Sequence, residues 1–496
     1  MDVSAAAPCL PTSITDAAVL YDRLPNRAPI DQPLPTLARK LRLHDYFALA
    51  FGTMIGTGWL VLMDDWLGRG GPLGAILGFV LGGIILLPVG YVYGQWVLRL
   101  PDAAGEAAYT AQVFPPIVSY FTGWIMLLAY FIVCPWEAIA LGKIAAYIFP
   151  QLDSMEVYRV AGQPVFLLRL VLGIALTIFL TTINYRGIRL SANFQKGMTT
   201  IVLLIFLALV AISAVRGSPA NLHPVFHSAP LVSILLTLQI VPYFLTGFES
   251  VPKYAEEANP EFRGKTYMTA IAMALGVGVS FYAFSLAAVS YIAPWQSLLG
   301  QRFATAIAFE HGLGKHWPVQ LILVMAMFGL FQCFNGNFAA ATRMIFAFGR
   351  NGSVPAPLAR IHPRFQTPSN AILIIGAGTL VALFLGDAIL VPVTEVGSAA
   401  AAYGWLASCV SLLLVLRRDA NHGRGTDSAG FQPAPTPPVK LRIIATFGAV
   451  AAFALVLMKF LPVSPGHFTT AEYIALTFWL VLGAILHSRR TKTQTV

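Results

Sequence analysis

The sequence predicts an all-α polytopic membrane protein: twelve transmembrane helices, ten of them forming an inverted five-plus-five repeat with helices 1 and 6 broken. Three observations carry that prediction. Only 11% of the 496 residues are charged and 57% are apolar, whereas an average soluble chain has about 25% charged residues. Apolar runs of bilayer-spanning length recur along nearly the whole chain. The basic residues between those runs alternate in density from one gap to the next. A soluble chain of this length would need several charged domain surfaces, and with 12% aromatic residues it is too hydrophobic for disorder.

Other classes drop out on composition and motif. The net charge of +10 does not indicate nucleic acid, because the Lys and Arg residues form no stripe with interleaved aromatics. The cysteines Cys9, Cys134, Cys333 and Cys409 have neither disulfide-framework nor zinc spacing, and His223, His227, His311 and His316 lie in outer loops, so no metal site is expected. The N-terminus lacks the pattern of a removable signal peptide. There is no P-loop, Ser-His-Asp arrangement or Rossmann fingerprint. Neither a cofactor, nor an enzyme activity, nor ATP-driven transport is therefore expected.

About 20 apolar residues cross a bilayer as a helix. The runs are 45–66, 74–98, 117–149, 165–185, 194–215, 231–255, 266–292, 317–349, 369–386, 390–416, 440–461 and 470–487. Barrel strands would be about ten residues of alternating polarity, which these are not. The third and eighth runs are long enough to require tilt or protruding ends. With the N-terminus cytoplasmic, the inner segments hold 24 Lys and Arg residues and the outer ones 7, with Lys143 inside the third run. The positive-inside rule then places both termini in the cytoplasm and supports the number twelve. Residues 1–40 read as a cytoplasmic tail, 41–416 as the core with repeats at about 41–216 and 231–416, and 417–439 as a Gly/Pro-rich cytoplasmic linker. Residues 440–487 are helices 11 and 12, and 488–496 a C-terminal tail. The expected location is the plasma membrane, the inner membrane in a bacterium.

Two spans carry interruptions. The first contains Gly52-Thr53-Met54-Ile55-Gly56-Thr57-Gly58-Trp59 and the sixth Tyr243-Phe244-Leu245-Thr246-Gly247-Phe248-Glu249-Ser250. Glycine lowers the cost of leaving helical geometry, and backbone groups freed inside a membrane must find partners. A polar ligand at the midplane can supply them, an anion at half-helix N-termini and a cation at half-helix C-termini. Five is odd, so breaks five spans apart fit a five-helix unit repeated in the opposite orientation. The alternative for the first span is plain helix packing, since Gly52 and Gly56 have GxxxG spacing.

Four segments in order resemble the amino acid–polyamine–organocation (APC) superfamily of permeases. Met54-Ile55-Gly56-Thr57-Gly58 is similar to its broken first helix, and Ala104-Gly105-Glu106-Ala107-Ala108-Tyr109 to the segment after its second. Gly247-Phe248-Glu249-Ser250 with Glu256-Glu257-Ala258-Asn259-Pro260 resembles its sixth helix and the loop beyond. The stretch from Arg343 through Arg350-Asn351-Gly352 to Pro355 resembles the end of its eighth. The resemblance implies the LeuT-like APC fold, alternating access and an amino acid or amine substrate. By position, the backbone from Ile55 through Gly56 and Thr57 to Gly58 would bind a substrate carboxylate, and carbonyls near Tyr243, Phe244, Thr246 and Gly247 its ammonium. Tyr243 falls where some relatives have a capping aromatic residue, and Glu249, beside Phe248, where some carry a proton-sensitive gating glutamate. Some relatives place a lysine in helix 5 in place of a sodium ion; the matching position here, near Val202, is apolar.

A carboxylate at the centre of a span costs about 2.5–3.5 kcal/mol even on the mildest scale, which singles out Glu249 and Glu137. Glu249 either carries a coupling proton or is a protonated residue bonded to the unwound backbone. Glu137 is expected in coupling or substrate binding, and Lys143, able to reach the outer interface, in structure. Asp64, Asp65 and Glu395 are expected at a gate or interface. Together these predict a secondary active transporter of an amino acid, with the bilayer and a proton or sodium ion as partners. An amine permease of polyamine or ethanolamine type and a transporter-like nutrient receptor are the alternatives.

Overall fold

The structure is a computed structural model that describes residues 37–259, 264–421, 438–464 and 467–490. Cys9, most of the N-terminal tail and most of the 417–439 linker lie outside the described residues. Among the described residues nine helices are long and apolar enough to cross a bilayer, or ten if one pair bent by 48° counts as a single span. The other two predicted spans look different. Residues 45–66 are divided among Leu43–Met54, Gly58–Val61 and the start of Met63–Arg99, and 369–386 corresponds to Ser369–Leu383, a helix of 15 residues.

The chain opens with α1 (Leu43–Met54), whose first turn is fixed by the Arg42 N–H donating to Asp45 Oδ2 at 2.9 Å. After a gap come α2 (Gly58–Val61) and α3 (Met63–Arg99). The last of these is two helices in one. Gly71 sits at φ 63° and ψ −179°, a conformation open to glycine, and Pro72 restarts the helix with a φ already suited to a first turn. The part before Gly71 therefore continues the first predicted run, and the part after it covers the second. Small residues at four-residue spacing then bring α3 against α9 (Pro230–Leu238): a Cβ at Gly74 would stand 2.8 Å from Ser233 Cβ, and one at Gly78 2.7 Å from Thr237 Cβ. Such spacing lets backbones approach where lipid offers no hydrophobic drive.

The third span is α5 (Pro116–Phe131) and α6 (Val133–Ile148), following the short α4 (Glu106–Thr110). It falters at Ile132 because Pro135 has no N–H for the Phe131 carbonyl. A hairpin precedes the fourth span, Glu156–Val160 pairing antiparallel with Gln163–Phe166. Its turn residues Ala161 and Gly162 both have positive φ, as a two-residue hairpin turn requires. The span-by-span reading did not anticipate it. Next come α7 (Leu167–Arg186) and α8 (Ile188–Arg216), then α9, α10 (Val241–Leu245) and a 3-10 segment, Phe248–Glu257. The remaining helices are α11 (Gly264–Ile292), α12 (Ala304–Leu313), α13 (Trp317–Arg350), α14 (Ser369–Leu383), α15 (Leu390–Asn421), α16 (Pro438–Phe460) and α17 (Thr470–Ser488). Leu204, Leu207 and Val215 on α8, Ile443 and Phe453 on α16, and Ile474 and Phe478 on α17 are exposed. That apolar exterior suits lipid.

One end of the bundle is closed by ion pairs. Lys253 Nζ lies 2.6 Å from both Glu106 oxygens, and Tyr93 Oη donates to Glu106 Oε1 at 2.6 Å. Arg343 grips Glu257 with two bonds, at 3.0 and 3.1 Å. Arg350 bridges Glu256 at 2.7 Å and Asp102 at 3.2 Å. The backbone joins in: Lys40 and Leu41 N–H donate to Glu257 O, and Asn259 N–H to Leu41 O. Lys253 and Arg343, counted in the sequence as topogenic charges, are fully buried here and matched by carboxylates. Their role is thus internal pairing rather than loop charge.

Removing one partner of a buried pair leaves the other charge unpaired, which costs about 3–5 kcal/mol. Lys253→Met should therefore sharply reduce thermal stability in detergent, whereas Lys253→Met with Glu106→Gln should recover most of the loss. Equal loss in the single and double variants would contradict the coupling.

Candidate functional site

The two interruptions lie against each other. At the first, Ile55 is extended (φ −101°, ψ 93°) and α1 ends with the Ile55 N–H bonding Phe51 O. Helix ends leave orphan carbonyls and N–H groups, and here side chains satisfy the carbonyls. Thr53 O accepts from Asn337 Nδ2 at 3.0 Å and from Cys333 Sγ at 3.2 Å, Met54 O from Tyr282 Oη at 2.7 Å, and Ile55 O from Gln332 Nε2 at 3.0 Å. One turn earlier, Gln195 Nε2 bridges Ala48 O at 3.3 Å and Gln332 O at 3.0 Å. On the donor side, Glu137 reaches across from α6. Its Oε1 accepts the Thr57 N–H at 3.3 Å and its Oε2 the Thr57 hydroxyl at 2.9 Å.

The glycines make these approaches possible. A Cβ at Gly52 would overlap the Gln195 amide nitrogen, and one at Gly56 would overlap Glu137 Oε1. The GxxxG spacing thus admits two polar side chains rather than another helix.

At the second interruption the last backbone bond of α10 runs from Thr246 N–H to Pro242 O. The carbonyls of residues 243–246 therefore lie beyond the helix's own ladder. Gly247 turns the chain at φ 145°, and its N–H is shared by both oxygens of Glu249 at 3.0 Å, one of which also accepts from Tyr130 Oη at 3.3 Å. Each break thus has a buried glutamate at its donor end.

Between the breaks is a cavity of about 20 Å³, lined by Gly56, Gly58, Glu137, Tyr243, Phe244 and Thr246 among others. Beyond it is a larger vestibule of about 270 Å³. Trp136, Tyr243 and Phe244 line both and so form the partition between them. The vestibule is also lined by Asp64, Asp65, Arg69, Lys143 and Glu395. Several of these are paired: Arg69 with Asp65 at 2.7 Å, Lys143 with Asp387 at 3.6 Å, and Glu395 with Lys459.

Six of the residues singled out in the sequence therefore meet at the cavity. Ile55, Thr57, Gly247, Phe248 and Glu249 do not line it. Ile55 and Thr57 are buried in the first break. Phe248 is packed between Tyr93 and Trp405, with ring centroids 6.0 and 5.6 Å away. Glu249 lies behind Gly247, toward Tyr130. The Thr57 amide, expected to meet a ligand carboxylate, donates to Glu137 in this conformation. Gln195, Gln332, Asn337 and Tyr282 were missed. Their signal was uncharged polar side chains inside apolar runs, which a search for intramembrane charge passes over. Val202 is buried and apolar; on α8 it is Gln195, about two turns earlier, that reaches the carbonyls of α1 and α13.

A family model described as amino acid permease matches residues 41–485. The chain is 24% identical to the branched-chain amino acid permease BcaP of Bacillus subtilis (strain 168), over 91% of this chain and 93% of that protein. It is 25% identical to the methylthioribose transporter of the same organism, over 67% and 72%. It is 24% identical to the cystine/glutamate transporter of Homo sapiens, over 74% and 72%.

Gly247→Ala would place a Cβ 2.5 Å from Met54 Cγ and 2.8 Å from Met54 N at a φ that side chains avoid, and such strain costs about 1–3 kcal/mol before any clash. The variant should lose stability and ligand response. Gly197→Ala, in α8 with nothing within 4 Å, should be neutral or slightly stabilising. Matching melting temperatures for the two variants would contradict the packed-break geometry.

Proposed function

The chain belongs to the amino acid permease family, and we propose that it is a secondary active transporter moving an amino acid across the plasma membrane by alternating access. The observation that carries this reading is the meeting of two helix breaks across one cavity. On one side are Gly56, Gly58 and Glu137, whose carboxylate holds the Thr57 amide behind the lining; on the other are Tyr243, Phe244 and Thr246, whose carbonyls lie beyond the ladder of α10. A zwitterion has the complementary pair of charges. Met54, Val133, Trp136 and Tyr282 give the rest of the lining an apolar character. This suits an apolar side chain, in keeping with the printed name of the branched-chain relative.

In this reading the first span is α1, α2 and the start of α3, and the sixth is α9, α10 and the 3-10 segment. With Ser369–Leu383 as the ninth, the total is twelve in an inverted five-plus-five repeat. The ion-paired end is cytoplasmic and the vestibule extracellular, so the conformation is closed inward. The acceptor end of the first break supports coupling without sodium. The carbonyls of Ala48, Thr53, Met54, Ile55 and Gln332 already receive neutral side-chain donors. Proton symport or exchange follows, with Glu249 as the carrier. An amine permease is the second reading, favoured by Glu137, since a resident carboxylate at Thr57 leaves an amine with nothing to displace.

Uptake of radiolabelled L-amino acids into proteoliposomes tests the proposal. Saturable flux is expected, unchanged when sodium is replaced by potassium and abolished by Gly56→Leu. Saturable binding without flux would indicate a receptor. Flux that stops in potassium would contradict the sodium-free reading.

A further inference from the structure

The cavity is about 20 Å³, room for a water where roughly 10–15 Å³ is needed for one, and far short of an amino acid. No amino acid fits unless a lining side chain moves. Three features show which one. Glu137 is 3% exposed, and its carboxylate rests on Thr57. Among the described residues no Lys or Arg pairs with it, the nearby Lys143 being engaged with Asp387. Burying such a group without a cation is costly. Asn337, 1% exposed, lines the same cavity with Oδ1 unpartnered, while its Nδ2 is anchored to Thr53 O at 3.0 Å and Cys333 O at 2.9 Å. The acceptor is thus held in place with nothing to accept. Tyr243, Phe244 and Thr246, whose carbonyls lie beyond the ladder of α10, line the cavity opposite Glu137.

We propose that Glu137 is the substrate-selecting residue: it holds the place of the substrate's carboxylate on Thr57 in the empty site, is displaced by that carboxylate on binding, and then joins Asn337 Oδ1 in receiving the substrate's ammonium. This rests on the reading above, that the substrate lies between the two breaks. Ionic groups set the selectivity. A zwitterion brings one carboxylate for Thr57 and one ammonium for the released Glu137. An amine leaves Glu137 in place and forgoes the Thr57 bonds. A carboxylic acid without an amine puts two carboxylates together with no cation between them.

The test is binding to the purified protein of three probes sharing one apolar body: L-leucine, 3-methylbutylamine and 4-methylpentanoate. Wild type should bind leucine tightest and the acid weakest. In Glu137→Gln, leucine and the amine should each weaken by about tenfold or more while the acid tightens, so the leucine-to-acid preference collapses. Glu137→Asp keeps the charge and should keep the wild-type order. If Glu137→Gln fails to fold, Asn337→Leu takes its place. That variant removes the second acceptor proposed for the ammonium while keeping Thr57 and Glu137, and should weaken leucine about threefold with the acid unmoved. An unchanged leucine-to-acid ratio in Glu137→Gln, or in Asn337→Leu where that variant stands in, would overturn the assignment. So would a wild type that prefers the amine, because Glu137 would then be a fixed ammonium partner. If leucine does not bind, the same comparison is made with the L-amino acid that does. A wild type binding none of the twenty overturns the transporter reading itself, an outcome separate from failure of the Glu137 assignment alone.

Discussion

Everything at the centre of this molecule follows from one constraint: a helix broken inside an apolar medium must find partners for the backbone groups it releases. The first break meets that constraint with side chains. Asn337, Tyr282, Gln332 and Gln195 donate to the carbonyls of α1 and α13, and Glu137 accepts from Thr57. The second break meets it halfway. Glu249 caps Gly247, but the carbonyls of residues 243–246 stay beyond the helical ladder. The two breaks therefore differ: side chains meet the carbonyls of the first, while those of the second lie past the end of α10.

Satisfying the breaks with side chains also ties them to the rest of the bundle. Glu137 comes from α6, Tyr282 from α11, and Gln332 and Asn337 from α13, so three helices are fastened to the end of α1. The neighbour of Glu137, Trp136, helps to separate cavity from vestibule, and its Nε1 donates to Leu390 O of α15 at 2.9 Å. Movement of Glu137 away from Thr57 would therefore act on the same turn of α6 that holds the partition. At the opposite end, the segment that follows the second break carries Lys253, Glu256 and Glu257 into the ion pairs with Glu106, Arg350 and Arg343. The vestibule and the closed end are thus connected to the two breaks through continuous pieces of backbone.

Much of this was legible in the sequence. Apolar run length gave the helical membrane architecture, and the glycine-bearing stretches at 52–58 and 243–250 gave both breaks. Glu137 and Glu249 stood out because charge is scarce. What was not legible has physical reasons. Periodicity cannot say that Glu137 faces Thr57, since the two are 80 residues apart. Lys253 and Arg343 looked like loop charges because a partner such as Glu106 lies 147 residues away. Gln195 and Gln332 carry no charge, so the cost of burying charge does not mark them, yet their amides satisfy carbonyls at and beside the first break. The division of residues 63–99 at Gly71 falls in the gap between the runs 45–66 and 74–98, where Gly-Pro interrupts the apolar pattern.

The most direct measurement is a ligand-bound structure of the protein in a lipid nanodisc at saturating amino acid. The expected result is density between Thr57 and residues 243–246, with the ligand carboxylate on Thr57 and Glu137 turned toward its ammonium. Ligand density confined to the vestibule, with Glu137 still on Thr57, would contradict the placement of the site between the two breaks.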